Sequence, residues 1–374
     1  MKKYSYILFV LLIFPISCNC FHVDSIGWKP QQKIRTQSDL DVHSFFKQTA
    51  PSFQGAVVVT DPLCLMQTAK DVLCCLQSRQ ALHDKTLDPI GLRSFIPLDQ
   101  TIATLRFVVD VIEQDIPTQH FRILDPAFLE EHFGGVQWTA DRQGAHAHAI
   151  TLPDDGSIRL TSYGIWAVQG SQRKTKEHDC GIYQLLDESI GKKYTKNQIL
   201  SGVLERPVNR RKRRALAWVS RQDFEDALMQ GTVVVKFPDT SYKILHVHQT
   251  NGIAYDRDQK NAFEQERYWF FKDVASGDQA QQQALDRFKQ RKEVIFAGDL
   301  NHIGLGKLIA VSHINPVTQK HELRLGILAD TGGAFDNNLY QLDLFGGFFE
   351  NKQALKRYLA YLPTATQASI LYKK

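Results

Sequence analysis

Three aspartates near the C-terminal end of the chain lie among strand-forming residues and glycines. The three segments are Ala297-Gly298-Asp299, Asp330-Thr331-Gly332-Gly333-Ala334-Phe335 and Leu342-Asp343-Leu344-Phe345-Gly346-Gly347. Because a charged side chain beside apolar strands is costly to bury, a cluster of carboxylates there indicates a functional cleft. A carboxylic acid held in a partly dry cleft is the usual group for cleaving a glycosidic bond.

Strands that could hold these aspartates are predicted from short runs of β-branched and aromatic residues. These runs lie at residues 55–60, 158–163, 232–237, 242–248, 294–296, 307–311 and 323–328. Pro238-Asp239-Thr240-Ser241 is typical of a hairpin turn between two of them.

Helices are predicted mainly in the first part of the chain. Apolar residues recur at helical spacing through residues 65–82 and 98–112, and Asp99 or Thr101 could cap the second helix. A short helix is expected after Asp125, because the following proline suits the first helical position. The Gln-rich residues 276–292 are expected to form a surface helix or connector. The prediction is therefore a helical N-terminal part followed by a strand-rich remainder.

Length and composition limit the class of protein. The chain has 374 residues, of which 43% are hydrophobic and 23% are charged. This length favours two domains or one domain with an insertion, and the composition excludes a largely disordered or collagen-like chain. The formal net charge of +5 is mild. It would favour an anionic polymer but does not by itself indicate a nucleic-acid partner.

The N-terminus has the layout of a secretory signal. Two lysines precede an apolar run at residues 6–16, which is too short to span a bilayer comfortably. Residues 1–20 are therefore expected to be a leader, with Cys18 as a candidate for lipidation and an uncleaved membrane anchor as the alternative. The polar residues 21–50 are expected to form a tether.

Several other patterns have less specific meanings. Cys64, Cys74, Cys75 and Cys180 lack the spacing of metal ligands, so we expect buried free thiols, with a disulfide from Cys64 to Cys74 or Cys75 as the alternative. Two His-X-His pairs, at residues 146–148 and 246–248, would place both rings on one strand face, but no third ligand is evident and no metal is expected. The basic run at residues 210–214 is expected to be a solvated loop that could touch anionic wall polymer or a membrane surface.

The aspartate segments and one glycine turn occur in an order that resembles a known family. The ordered motifs are Ala297-Gly298-Asp299, Ile303-Gly304-Leu305-Gly306, Asp330-Thr331-Gly332-Gly333-Ala334-Phe335 and Asp343-Leu344-Phe345-Gly346. This set is similar to the three-aspartate domain of the membrane-bound lytic transglycosylase A family. Matches farther upstream extend the resemblance to residues 100–374; they are Leu160-Thr161-Ser162-Tyr163, Met229-Gln230-Gly231-Thr232, Asn251-Gly252-Ile253-Ala254-Tyr255 and Tyr268-Trp269-Phe270-Phe271-Lys272.

The resemblance implies a mainly β fold with N-terminal helices, namely a double-psi β-barrel with an inserted second β-rich domain. The barrel would comprise residues 51–164 and 274–374, and the insertion, residues 165–273, would line a glycan groove. The implied activity is non-hydrolytic cleavage of the bond between N-acetylmuramic acid and N-acetylglucosamine in peptidoglycan, giving 1,6-anhydro products. It implies no cofactor and no nucleic-acid partner. The implied location is the cell envelope (periplasm), with possible outer-membrane attachment through Cys18.

The match also suggests unequal roles for the aspartates. Asp343 would be the catalytic acid/base, with an exposed loop carboxylate as the alternative, and Asp330 would support it, with a turn or helix cap as the alternative. Asp299 would order the turn at residues 304–306. Sugar contacts are expected from residues that could equally be buried or turn residues; these are Thr161, Tyr163, Gln230, Gly332 and Gly333. Trp166 and Trp269 could stack on sugar rings, although core packing is favoured.

Departures from the family pattern keep other functions open. The span from Asp330 to Asp343 is longer than is typical of the family, and Gly164 replaces a tyrosine. A peptidoglycan hydrolase that uses Asp330 and Asp343 as a pair is one alternative. A catalytically silent peptidoglycan-binding protein is another. An aspartic protease is disfavoured, because the chain has no second Asp-Thr-Gly copy.

Overall fold

The computed structural model describes residues 41–80, 86–256, 259, 261–275, 277–332 and 335–374. The strands, in chain order, are β1 Phe46–Thr49, β2 Val57–Val58, β3 Phe133–Trp138, β4 Ile158–Ser171, β5 Cys180–Leu185, β6 Arg213–Val219, β7 Thr232–Lys236, β8 Tyr242–Thr250, β9 Trp269–Asp273, β10 Ile295–Ala297, β11 Leu308–Ile314, β12 His321–Asp330, β13 Gln341–Phe349 and β14 Ala365–Lys373. The helices are α1 Pro62–Gln80, α2 Ile90–Arg93, α3 Leu98–Asp115, α4 Pro126–His132, α5 Arg142–Ala147, α6 Lys196–Leu200, α7 Pro207–Arg210, α8 Arg221–Gln230, α9 Asp278–Lys289 and α10 Lys352–Leu359.

Strand pairings close a ring of six strands within the described residues. The order around the ring is β14, β11, β12, β10, β13 and β4, and β4 pairs again with β14. The β10–β12 and β13–β4 pairs are parallel, whereas the other four are antiparallel. One face of the ring packs into the main apolar core with α1 and α3, which buries residues such as Phe296, Leu328, Leu342 and Leu344 completely. Closing the ring satisfies the backbone groups that an edge strand would expose.

β4 is long enough to take part in a second group of strands. Its residues Ala167, Val168 and Gln169 pair in parallel with β7, which continues antiparallel into β8 and β9. Its last two residues pair with β6, and β6 pairs with β5. These strands and α8 enclose a separate apolar cluster that includes buried Trp166 and Trp218. β4 therefore belongs to the ring at its first half and to the second group at its second half.

Several predicted elements are confirmed. The helices expected at 65–82, at 98–112 and after Asp125 are α1, α3 and α4, although residues 81 and 82 lie outside the described residues. Asp125 caps α4 by accepting a hydrogen bond from the backbone N–H of Ala127. The turn at 238–241 joins β7 to β8, and α9 occupies the Gln-rich segment.

Other expectations were wrong. Neither Asp99 nor Thr101 caps α3, because Pro97 is its N-cap residue and makes no side-chain cap. Residues 46–49 lay within the expected tether but form β1, whose Phe46 is buried against β3. Strands β3, β5, β6, β13 and β14 were not predicted at all.

Cys180 carries a buried free thiol, as expected, and the free thiol of Cys64 is half-buried. Cys74 is disulfide-bonded, which corrects the expectation of a free thiol there. Cys18 and the rest of the expected leader lie outside the described residues. Among the residues that are described, no helix is both long enough and apolar enough to cross a membrane.

A buried ion pair lies in the second apolar cluster. Lys196 Nζ donates to both carboxylate oxygens of Glu225 at 2.8 Å and to the carbonyl oxygen of Ala262 at 2.6 Å. Lys196 is fully buried, and its burial lowers the pKa of the amine. Arg221 also pairs with Glu225 at 2.8 Å. Removing one partner would leave an uncompensated buried charge.

We expect Glu225→Ala to lower the free energy of unfolding by about 3–5 kcal/mol, because Lys196 would remain buried without a counter-charge. Urea unfolding followed by tryptophan fluorescence measures this, since Trp166 and Trp218 lie in the same cluster. The exposed Glu177→Ala is the matched control and should change stability by less than about 0.5 kcal/mol. The double variant Lys196→Met/Glu225→Met should recover at least half of the loss. Equal stability of Glu225→Ala and Glu177→Ala would contradict this account.

Candidate active site

Four residues form a row across adjacent strands of the ring. Asp330 pairs with Ala297, Ala297 pairs with Asp343, and Asp343 pairs with Thr161. Paired residues direct their side chains to the same face of a sheet, so both carboxyls and the threonine hydroxyl share one face. Ala297, with its small side chain, lies between the two aspartates in this row.

A bulge in the pairing of β10 with β12 puts Asp330 on this face. Phe296 pairs with Leu328, but the next residue, Ala297, pairs with Asp330, so Ala329 is the extra residue. Leu328 is fully buried in the main core. With regular alternation Asp330 would point to the same side as Leu328, whereas the extra residue turns it to the other face.

Asp343 is held by a neutral amide. Gln341 Nε2 donates to Asp343 Oδ1 at 2.8 Å and to Thr161 Oγ1 at 3.0 Å. Arg159 Nη1 donates to Gln341 Oε1 at 3.1 Å, and an arginine can only donate, so the orientation of the amide is fixed. Asp343 Oδ2 has no hydrogen-bond partner among the described residues and is not fully buried. One carboxyl oxygen is thus oriented by the protein while the other stays available.

Burial raises the pKa of Asp343 to about 6, because the carboxylate loses water. The Gln341 hydrogen bond and the nearby Arg159 charge oppose this shift, whereas the charge of Asp330 adds to it. Asp343 as a whole residue is half-buried, but its carboxyl group lies deep enough that the loss of water is the largest contribution to its pKa. A carboxyl with such a pKa is partly protonated near neutral pH, as a general acid must be.

Asp330 is the more tightly bound aspartate. Tyr163 OH donates to Asp330 Oδ2 at 2.5 Å, and the backbone N–H of Thr331 donates to Oδ1 at 2.8 Å. Thr331 Oγ1 donates in turn to the carbonyl oxygen of Gly298 at 2.9 Å, which joins the Asp-Thr-Gly segment to the end of β10. Burial raises the pKa of Asp330, although both hydrogen bonds oppose this. Asp330 therefore has both oxygens bound, unlike Asp343.

Asp299 is not part of the row formed by Asp330, Ala297, Asp343 and Thr161, and it is 1% exposed. Its Oδ1 accepts hydrogen bonds from the N–H groups of Asn301 and His302, and its Oδ2 contacts His302 Nδ1 at 2.7 Å and accepts from the Asn338 N–H at 3.1 Å. It orders the turn at residues 299–302, not the turn at 304–306 as the sequence suggested. It also fixes the loop that leads into β13.

Other predicted site residues are not all close to the aspartates. Gln230 is the last residue of α8, and its Oε1 accepts a hydrogen bond from the Trp166 N–H at 2.9 Å, where β4 leaves the ring. Gly332 is exposed, and a Cβ atom there would lie 3.9 Å from the Phe335 ring, an ordinary contact distance. Gly333 lies outside the described residues. Trp166 is 4% exposed in the second cluster, and Trp269 is stacked by Arg267 at 4.6 Å.

The sequence reasoning missed Arg159 and Gln341. Each stands two positions before a residue that was singled out, Thr161 or Asp343, and residues two apart on a strand share a face. That spacing was the available signal. The spacing predicts a shared face only where the segment is known to be a strand, and β13 was not predicted as one.

Gly164 in place of tyrosine has a local explanation. A Cβ atom at Gly164 would lie 2.6 Å from the Phe349 ring and 3.2 Å from the carbonyl oxygen of Gly347. The pairing of β13 with β4 shifts between Phe345 and Phe348, and Gly347 has φ +104°. The irregular part of β13 thus occupies the space that a side chain at position 164 would need.

The second histidine pair lies on a strand, β8, as the sequence suggested, but the first pair does not. His146 lies in α5, not on a strand, and His246 Nδ1 lies 2.7 Å from Thr232 Oγ1. In the described part of the chain, no group of three His, Cys, Asp or Glu side chains is arranged to hold a metal ion.

Solved structures share the fold of this chain. Membrane-bound lytic murein transglycosylase from Agrobacterium tumefaciens is 14% identical with a TM-score of 0.56, covering 88% of this chain and 98% of that one. MltA from E. coli with bound chitohexaose is 14% identical with a TM-score of 0.60, covering 92% and 99%. MltA from Neisseria gonorrhoeae is 15% identical with a TM-score of 0.56, covering 92% and 95%.

Sequence comparison alone finds no such relationship. No model of a protein family matches the chain, and no curated protein matches it. The structural matches span nearly the full length of the solved chains. This chain therefore has the mixed, sheet-rich fold of these three solved structures, which confirms at the level of the fold the resemblance seen in its motifs.

The two outer aspartates of the sequence motifs should respond oppositely to substitution. We expect Asp299→Ala to lower the free energy of unfolding by about 2–4 kcal/mol, because several buried N–H groups lose their acceptor. At pH 8 we expect Asp343→Asn to unfold with equal or higher free energy than the unsubstituted protein, since the folded state then no longer holds an unfavourable ionised carboxylate.

Urea unfolding at several pH values tests this pair. The pKa of Asp343 is raised on folding, so its ionisation destabilises the folded state as pH rises through about 6. The difference between Asp343→Asn and the unsubstituted protein should therefore disappear near about pH 3, where the carboxyl is protonated in both states. A large loss of stability in Asp343→Asn at pH 8 would show that its charge is structural.

Proposed function

We propose that this protein is a peptidoglycan lytic transglycosylase that cleaves the β-1,4 bond between N-acetylmuramic acid and N-acetylglucosamine without hydrolysis. The observation that carries the proposal is Asp343, whose raised pKa and open Oδ2 suit one residue for donating and then accepting a proton. The shared fold supports it, as does the structure of the E. coli relative with bound chitohexaose, an oligosaccharide.

In the first step, protonated Asp343 gives its proton to the glycosidic oxygen. The bond between that oxygen and the anomeric carbon of the muramic acid breaks, and positive charge develops at the carbon. Gln341 keeps Oδ1 in place during this transfer, so the open Oδ2 is the oxygen that carries the proton. The leaving sugar departs with a free hydroxyl.

In the second step, Asp343 acts as a base. Its carboxylate takes the proton from the C6 hydroxyl of the same muramic acid, and the C6 oxygen attacks the anomeric carbon. The 1,6-anhydro ring closes, no water is consumed, and Asp343 regains the proton that it lost. A single acid/base therefore suffices, which agrees with the unequal surroundings of the two aspartates.

Asp330 would support this reaction without exchanging protons. Its carboxylate is held by Tyr163 and Thr331, so it can present a fixed negative charge near the positive charge that develops on the sugar. The same charge raises the pKa of Asp343. Tyr163 and Thr161 lie on the shared face and are proposed as sugar contacts, together with Gln230, Gly332 and Gly333 on the resemblance alone.

The closed strand ring supports a finer description of the fold. We infer that the ring is the double-psi β-barrel of the family, formed by residues 51–164 and 274–374. Residues 165–273, with their own apolar cluster, would be the inserted domain that lines the glycan groove. The proposed location is the bacterial cell envelope, where peptidoglycan lies. Attachment to the outer membrane through Cys18 follows from the leader alone.

A hydrolase is the alternative function, and the reaction products distinguish it from a transglycosylase. The raised pKa of Asp343 together with its open Oδ2 favours an enzyme over a catalytically silent binding protein, because a general acid must be protonated and within reach of the substrate. A hydrolase would use Asp330 to activate water. Both oxygens of Asp330 are already bound to the protein, which favours the transglycosylase.

We expect Asp343→Asn to reduce peptidoglycan cleavage roughly 100- to 10,000-fold, because an amide can neither donate the proton to the leaving oxygen nor accept it back. Mass spectrometry of released muropeptides measures both rate and product. The unsubstituted protein should give anhydro-ended fragments, and the reducing-end fragments of a hydrolase would contradict the proposed reaction. Full activity of a folded Asp343→Asn variant would remove Asp343 from the mechanism.

We expect Gln341→Met to move the alkaline limb of the pH profile to higher pH. In the unsubstituted protein kcat/KM should fall above about pH 6, as Asp343 loses its proton. The Gln341 hydrogen bond favours the carboxylate, so its loss should raise the pKa of Asp343. Rates measured across the pH range test this. A variant with lower activity but an unmoved limb would show that Gln341 acts only in packing.

A further inference from the structure

One end of the β5–β6 pair is a surface that the proposed reaction does not use. The N–H groups of Leu186 and Asp187 donate to the carbonyl oxygen of Lys212 at 2.9 and 3.1 Å. Lys212 Nζ also donates to Ser189 Oγ at 3.5 Å. Residues 186–193 and 206–212 are therefore held together as one surface, which we call the basic tip.

The basic tip has a marked excess of positive charge. Its exposed basic residues are Lys192, Lys193, Arg206, Arg210 and Arg211. Within the described part of the chain, none of these five forms an ion pair with a carboxylate. The tip has two acidic residues. Asp187 lies 3.7 Å from Lys212, so Glu188 is the one acidic residue of the tip that could offset the five exposed basic residues. Such a cluster attracts anionic partners over about a Debye length.

Two apolar side chains project from the same tip. Leu186 is 61% exposed and Val208 is 71% exposed. Leu186 is fixed beside Lys212 by its backbone hydrogen bond, and Val208 lies in α7 between Arg206 and Arg210. Basic side chains around projecting apolar ones are the pattern of a surface that enters the interface of an anionic bilayer.

Two other arginines of the Arg-rich run have partners in the fold, although Arg214 is exposed as well. Arg213 is stacked over the Tyr183 ring at 4.7 Å, and Arg214 pairs with Asp273 at 3.0 Å. These two side chains serve the fold. Arg210 and Arg211, next to them in sequence, are left exposed at the tip.

We propose that the basic tip docks on a lipid bilayer that carries anionic headgroups, with Leu186 and Val208 entering the headgroup region. A soluble polyanion would use the charges but would gain nothing from the two apolar side chains, so their exposure favours a bilayer. The docking does not depend on the proposed reaction. It would add a second contact with the membrane beside any provided by the N-terminal leader.

Flotation of the full chain with lipid vesicles tests this. Phosphatidylcholine vesicles with and without phosphatidylglycerol are compared, so any binding through the N-terminal apolar run is the same for every variant. Arg206→Gln/Arg210→Gln/Arg211→Gln should weaken binding to the anionic vesicles about fivefold per arginine, or roughly 100-fold in all. Leu186→Ser/Val208→Ser, which keeps every charge, should weaken it roughly tenfold.

A matched control lies at the opposite end of the same strand pair. Arg173 and Lys176 are exposed, so Arg173→Gln/Lys176→Gln removes charge away from the tip and should leave vesicle binding within about twofold of the unsubstituted protein. Binding to soluble dextran sulfate is measured alongside. If the serine variant binds vesicles normally while the arginine variant loses both partners, the tip binds an anionic polymer and the bilayer proposal is wrong. Equal loss in the control variant would also overturn it.

Discussion

The register of one parallel strand pair determines where chemistry can occur in this protein. In the pairing of β10 with β12 the extra residue Ala329 moves Asp330 away from the side of Leu328. A regular pairing would direct this carboxylate into the apolar core, where an unpaired charge is far too costly to keep. The bulge instead places Asp330 on the face of Asp343 and Thr161. The other features of the site depend on this shared face.

A second constraint concerns the pKa of Asp343. A direct ion pair with Arg159 would lower the pKa by about 1–3 units and leave a carboxylate that cannot act as an acid. Gln341 stands between them, so the arginine orients a neutral amide and the amide orients the carboxyl. The effect of burial then prevails, and the pKa settles at about 6. The Asp343 carboxyl is thus held in a fixed orientation and can still carry a proton near neutral pH.

How much the sequence could predict depended on the range of the interactions. α1 and α3 were predictable because their apolar spacing is local, and the cap at Asp125 because it involves neighbouring residues. Strand β13 was not predictable, because Leu342, Leu344 and Phe345 are all buried and its apolar and polar residues do not simply alternate. The bulge at Ala329 and the Arg159–Gln341 contact join distant segments, so no local pattern could show them.

β4 links the chemistry to the second group of strands. Its residues Thr161 and Tyr163 lie in the ring beside Asp343 and Phe345, while the residues from Ala167 onward pair with β7. A strand that is hydrogen-bonded on both halves is stiff, so the positions of Tyr163 and of the second group are set together. Gly164 at the junction allows this close approach, because any side chain there would meet Phe349. The loss of a tyrosine at that position is therefore a consequence of packing, and the aspartates are untouched by it.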